Sequence, residues 1–262
     1  MNALLLTTFL IALALFASTL FRNIGMELLI NTDALMIVGG GTIIAVFLGF
    51  PLKRLKTVLC DIREAFRSNS TGQDTGKDIL EITKIYRKGD IRKMERKIRT
   101  IEDNFLKMGI SLLINNKPSD EIRTILERRL SVRMIDYNFS QNVLKTISRL
   151  TPSFGLAGTV ISLIKMFQNM VSIETIAPHM AVAMMSTFYG VIIANLFMLP
   201  LCAKLEEHAI LSEARMHSII EGIEGINNND HTINIEDRMN GYSTTWEMNT
   251  SLIKEPEVVT EI

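Results

Sequence analysis

An all-α, polytopic membrane fold is what this sequence predicts, and three observations carry the prediction. Four apolar runs, about 3–21, 34–50, 152–171 and 179–201, are each long enough to cross a bilayer as a helix. The stretch between the second and third runs has helical rather than strand periodicity. Finally, 47% hydrophobic residues coexist with 21% charged ones and a positive mean hydropathy, a mixture that a single soluble core rarely holds. The charges must therefore be segregated, and they are: about three quarters of the Lys and Arg lie between Lys53 and Arg149, while the chain after Leu205 is mostly acidic. The formal net charge of +0 hides this asymmetry.

The first run lacks a basic start, is too long for the apolar core of a signal peptide and has no convincing small-residue cleavage site, so it reads as a permanent span. Arg22, Glu27 and Asp33 are the charges between runs one and two, and Glu174 and His179 lie between three and four. Both loops therefore read as external. The positive-inside rule then makes 52–150 cytoplasmic, with both termini on the same side. Cys60 and Cys202 sit just inside the inner ends of runs two and four and are expected as free thiols, with no metal site implied. The resulting domains are 1–51 (spans one and two), 52–150 (a helical cytoplasmic domain), 151–203 (spans three and four), 204–226 (a helical extension) and 227–262 (a flexible, polar, acidic tail).

Within 52–150, Ile79, Ile82, Ile85 and Tyr86 recur at helical spacing. So do Met94, Ile98, Ile101, Phe105 and Met108, and then Ile122, Ile125, Leu126 and Leu130. Residues 68–76, rich in Ser, Thr, Gly and Asp, predict a loop. Asn115 to Pro118 is a break, and Pro118-Ser119-Asp120 suits a helix start with no evident stop before Pro152, so this helix is expected to run into span three.

The spans contain no Asp or Glu, so this chain by itself offers no carboxylate at membrane depth to take a proton or bind a cation. It offers hydroxyls instead: Thr159 in span three, Ser186 and Thr187 in span four, with Asn195 two turns further on. Membrane hydroxyls commonly bond to a carbonyl one turn back or join neighbouring helices. The sharper expectation is that these coordinate an ion, or hydrate an acid supplied by a partner helix. Gly39-Gly40-Gly41-Thr42 lacks the Lys-Ser or Lys-Thr of a phosphate loop and is expected to serve close helix packing. Lys165, inside span three, is expected to snorkel toward the outer interface.

At these residues the chain resembles the MotA/TolQ/ExbB ion-channel family. Gly158-Thr159 matches the Gly-Thr of the family's channel-lining third helix, and Thr187-Phe188-Tyr189-Gly190 matches the Thr three residues before a Gly in the fourth. Pro51-Leu52-Lys53, Thr151-Pro152-Ser153-Phe154-Gly155, Met180-Ala181-Val182-Ala183, Ala194-Asn195 and Pro200 extend the likeness over most of 1–225. Four spans with a large domain between the second and third resemble the flagellar stator branch rather than the three-span TolQ and ExbB branch. The resemblance implies no covalent catalysis. It implies transport of H+ or Na+ along Thr159, Thr187 and Ser186, a single-span MotB-like partner bearing the essential Asp, and a pentameric ring. It also implies that Arg87 and Glu95 bind the rotor protein FliG, and that Pro152 and Pro200 act as hinges. On one helix the eight residues from Arg87 to Glu95 span about 12 Å and share a broad face. Gly89 is displaced by one residue from the family pattern, and Arg92-Lys93 replaces apolar residues. The alternative implied by the same channel is an energiser of the TolQ/ExbB or gliding kind that drives a different envelope machine.

Overall fold

The computed structural model describes residues 31–67, 72–168 and 173–242, together with four helical positions, Thr7, Ile11, Leu15 and Ser18. The expected first span otherwise lies outside the described residues, as does the tail after Tyr242. Helices follow in the order α1 (Thr32–Gly49), α2 (Leu52–Arg67), α3 (Gly72–Arg87), α4 (Ile91–Thr100), α5 (Asn104–Ile114), α6 (Ser119–Gln168), α7 (Ile173–Ile192), a π-helical segment (Ile193–Met198), α8 (Leu199–Asn227) and α9 (Thr232–Asn240). No strand occurs among the described residues. Three stretches, Thr32–Gly49, Ser119–Gln168 and Ile176–Asn227, are long and apolar enough to cross a membrane. The chain divides into two compact units, 1–56 with 142–202, and 57–141 with 203–262.

In the first unit, Asn31 caps α1 by accepting the Ala34 N–H at 3.1 Å. Phe50 ends it in extended geometry because the following Pro51 disfavours a helical residue before it. Ala34, Val38, Thr42 and Val46, four residues apart, form the one buried stripe of α1. Leu35, Met36, Ile43, Ile44, Phe47 and Leu48 are exposed, the pattern of a helix whose solvent is lipid. Within the glycine triplet Gly41 packs closely, the ring of Phe154 filling the space of its missing side chain, while no described residue comes within 4 Å of a Cβ on Gly39 or Gly40.

In the second unit the expected apolar positions do form the core: Ile79, Ile82, Met94, Ile101, Phe105, Ile122, Leu126 and Leu130 are buried with Leu106, Ile110, Leu113, Ile219, Ile220 and Ile223. The helical run expected from Met94 to Met108 is broken in two. Asp103 accepts the Phe105 and Leu106 N–H groups at 2.8 and 3.2 Å and starts α5 there. As expected, α6 runs from Ser119 through Pro152 without interruption. Two expectations are overturned. Gly72 to Gly76, read as loop, is the first turn of α3. The segment after Asn227, read as a flexible tail, is ordered through Tyr242, where α9 buries Ile235 and Met239 in the core. Glycine makes this docking possible. A Cβ on Gly225 would stand 2.8 Å from Ile235, and one on Gly222 would stand 3.0 Å from Met239.

Candidate functional site

The α6 and α7 helices meet through glycine. A Cβ on Gly155 would lie 2.8 Å from the Ser186 carbonyl oxygen and 3.3 Å from the Thr187 Cα, and one on Gly190 would lie 2.9 Å from the Thr151 carbonyl oxygen and 3.1 Å from the Pro152 Cα. Backbones this close tolerate no side chain, which is how small residues join helices where lipid removes the hydrophobic driving force. Thr151, Gly155, Gly158 and Ser162, spaced four, three and four, form the buried seam of α6.

The predicted hydroxyls separate at this seam. Thr159 borders it, half-buried, and donates to the Leu156 carbonyl at 2.6 Å. Thr187 borders it from α7 and is exposed. Ser186 differs from its expected place on an ion path. It is fully buried, its hydroxyl donates to the Val182 carbonyl at 2.8 Å, and it occupies the space vacated by Gly158, where a Cβ would stand 2.6 Å from its Oγ. Ser186 is thus a packing residue, and the seam explains why: position 186 points at α6 while position 187 points past it. Asn195 is exposed within the π-helical segment. That widened turn immediately precedes the exposed Pro200, whose missing N–H and bulky ring disfavour regular α-geometry there, and the Leu199 N–H reaches back to the Ala194 carbonyl. Pro152 is half-buried against Gly190 within the unbroken α6. Lys165 is exposed in the last turn of α6.

Sequence patterns missed Tyr189. Its ring is buried with Ala34 and Met185, and its hydroxyl accepts the Asn31 backbone N–H at 2.9 Å, tying the start of α1 to α7. Burial of a tyrosine whose hydroxyl caps another helix depends on a partner 158 residues away, for which no local signal exists.

Arg87 and Glu95 are both exposed, but they do not share a helix. Arg87 ends α3, Gly89 turns the chain at φ +68°, a conformation glycine adopts without steric cost, and Asp90 caps α4 by accepting the Lys93 N–H at 3.1 Å. That N–H and the Lys93 side chain hold the Asp90 carboxyl below its ordinary range. The single-helix face expected for the pair is replaced by a corner. Lys97 of α4 braces it, pairing with Asp78 at 3.1 Å and Glu81 at 2.6 Å on α3. The Arg87 guanidinium also donates to the Asp230 carbonyl at the turn before α9.

A buried polar cluster in the second unit was likewise illegible. Arg133 pairs with Asp61 at 3.0 Å and Glu64 at 2.7 Å, lies 4.2 Å from the Tyr137 ring centroid and donates to its hydroxyl at 3.1 Å. Ser140 donates to the other oxygen of Asp61 at 2.6 Å. His208 stands edge-on to Tyr137, ring centroids 5.6 Å apart, and its Nδ1 is buried without a hydrogen-bond partner. Burial raises the Tyr137 pKa and lowers that of His208. Cys60 is exposed and Cys202 buried, both as thiols.

Comparison with known proteins gives the geometry a context. Residues 97–218 match the model of the MotA/TolQ/ExbB proton channel family. Over 202 residues the chain is 32% identical to Motility protein A of Aquifex aeolicus, covering 75% of this chain and 79% of the relative. It is 27% identical to YtxD of Bacillus subtilis over 233 residues, 88% of this chain and 86% of that one. The fold is that of the solved flagellar MotAB stator complex from Bacillus subtilis, with TM-score 0.80, 22% identity, and coverage of 94% of this chain and 98% of the other.

Proposed function

Because the chain belongs to the MotA/TolQ/ExbB proton channel family, we propose that it is an ion-conducting stator subunit of the bacterial flagellar motor, coupling proton or sodium flow to torque together with a MotB-like partner. One observation carries the reading: a glycine-welded pair of apolar helices flanked by Thr159 and Thr187, in spans that hold no acid of their own. Such a lining becomes a path when a partner helix supplies an Asp. Hydroxyls can then replace part of an ion's water shell, and each elementary charge that crosses releases about 2.3 kcal/mol per 100 mV. In this reading Thr159 and Thr187 line the path and the buried Ser186 joins the two helices.

Five copies would surround the partner, in the inner membrane, with both termini cytoplasmic. Motion would leave through the corner carrying Arg87 and Glu95 to the rotor protein FliG, where exposed charges set register and encounter rate more than affinity. The widened turn before Pro200 supports a softer joint there than at Pro152, where α6 is continuous and α7 presses on it. A second reading, an energiser of another envelope machine, is favoured by one feature: Arg87 already engages the Asp230 carbonyl. Deleting the chain from its host separates the two. A stator predicts flagella that are assembled but still, with rotation restored by the wild-type chain and not by Thr159→Val with Thr187→Val. Unchanged swimming after deletion rejects the stator, and full rotation with the double valine variant rejects the hydroxyl path.

A further inference from the structure

Other cations of the second unit are matched by carboxylates: Lys93 by Asp90 at 3.2 Å, Lys97 by Asp78 and Glu81, and Arg123 by Glu127 and Glu224 at 2.8 and 2.7 Å. Arg87, exposed at the end of α3, has no carboxylate partner among the described residues; its guanidinium donates to the backbone carbonyl of Asp230. The carboxylate of that same Asp230 is turned to Arg238 of α9 at 3.2 Å. The turn that presents the carbonyl is fixed on both sides. Before it, the Asp230 N–H donates to the Gly225 carbonyl at 2.9 Å and the Asn229 N–H to the Ile226 carbonyl at 3.1 Å, with Asn229 at φ +58°, the hydrogen-bond pattern that closes a helix through a left-handed residue. After it, α9 is anchored by the buried Ile235 and Met239. A carbonyl oxygen fixes the direction of a guanidinium but carries no net charge, so Arg87 keeps its full positive charge. A carboxylate in the same place would form an ion pair and cancel it.

We infer that Asp230 and Arg238 are positioning residues for Arg87: the Asp230 carbonyl orients the guanidinium, and Arg238 holds the Asp230 carboxylate aside so that the charge of Arg87 stays open to an acidic surface of the rotor. The inference deepens the stator reading and rests on its assignment of Arg87 to the rotor contact. It gives the segment after α8 a part in that contact, because the turn at Asp230 is held in place by the docking of α9.

The test reads the pairing of Arg87 and its consequence separately, in the full chain with its partner subunit. Phenylglyoxal attacks the deprotonated guanidine, which a paired carboxylate disfavours, so its rate at Arg87, followed by mass spectrometry, reports pairing. Arg92, exposed and in no ion pair with a described residue, is the reference in the same chain. Arg238→Ala releases the Asp230 carboxylate to Arg87 and should slow the modification about two- to fivefold, the range of an exposed ion pair. Adding Asp230→Asn removes that carboxylate while keeping the backbone carbonyl, and should restore the wild-type rate. Swimming speed of the host carrying each variant should follow the same order, reduced by Arg238→Ala and recovered in the double variant. A merely weakened α9 would not be rescued in this way, because Asp230→Asn mends none of its packing. An unchanged rate in Arg238→Ala, or a slowed rate that Asp230→Asn does not restore, overturns the inference. Rates that move as expected while swimming does not overturn its link to torque; if Arg87→Ala also swims normally, it is the rotor assignment of Arg87 that fails.

Discussion

Exchanging Gly158 for alanine adds one methyl group to a contact that has no room for it. The new Cβ would stand 2.6 Å from the Ser186 Oγ, 2.7 Å from its Cβ and 3.3 Å from Ile37 Cγ2. Carbon and oxygen need well over 3 Å, and neither Ser186 atom is the end of a flexible chain, so α6 and α7 must part. Overpacking of this kind costs about 1–3 kcal/mol. Ser186→Gly removes both obstructing atoms at a cost of about 1 kcal/mol, through glycine's backbone freedom in a helix. Combining the two exchanges the small and large members of the contact, with Ile37 Cγ2 at 3.3 Å the next neighbour, so the pair should be coupled favourably by about 2 kcal/mol, roughly thirtyfold in the folded-to-unfolded ratio. Equilibrium unfolding of the four chains in mixed micelles of increasing SDS content measures this cycle directly. A double variant as unstable as the sum of its parts, or a Gly158→Ala chain no weaker than wild type, refutes the assignment of Ser186 to packing and reopens its place on the ion path.

Ile235→Ala should destabilise the second unit by about 2–5 kcal/mol, read as faster limited proteolysis at the 228–231 turn, because Ile235 is fully buried against Gly225. Arg133→Met should cost about 3 kcal/mol in unfolding experiments by leaving the buried Asp61 carboxylate with Ser140 and no cation. His208 titrates below its ordinary 6.5 in the folded chain, chiefly through burial, so the unfolded chain binds the proton more readily. Stability is therefore full above pH 6.5 and falls as the pH drops below it toward the depressed folded value. A His208→Gln chain should lose that part of the pH slope in unfolding curves, and an unchanged slope would remove His208 as its source.

Much of this architecture was legible because helical periodicity is a local property. The core positions Ile79, Ile82, Met94, Ile122 and Leu126 follow from a 3.6-residue repeat that any window of the chain displays, and the passage of α6 through Pro152 followed from the absence of a stop signal. The α9 helix went unread because Ile235 and Met239 are two apolar residues in a polar, Asn-rich stretch. Their burial depends on slots that Gly222 and Gly225 open on α8. The corner between Arg87 and Glu95 was hidden for a different reason: charges at an eight-residue spacing suit one helix equally well, and only the positive φ at Gly89 with the cap at Asp90 decides otherwise.

By itself the sequence determined that the chain carries apolar runs of membrane length, that these runs hold hydroxyls and no acid, and that the basic residues gather in the stretch between the second and third of them, because length, charge and hydropathy are properties of the chain wherever it folds. Tertiary structure decided which hydroxyl faces outward. Ser186 and Thr187 are chain neighbours of nearly the same chemistry, and only the approach of Gly155 and Gly158 from a helix some thirty residues away buries the first and leaves the second exposed.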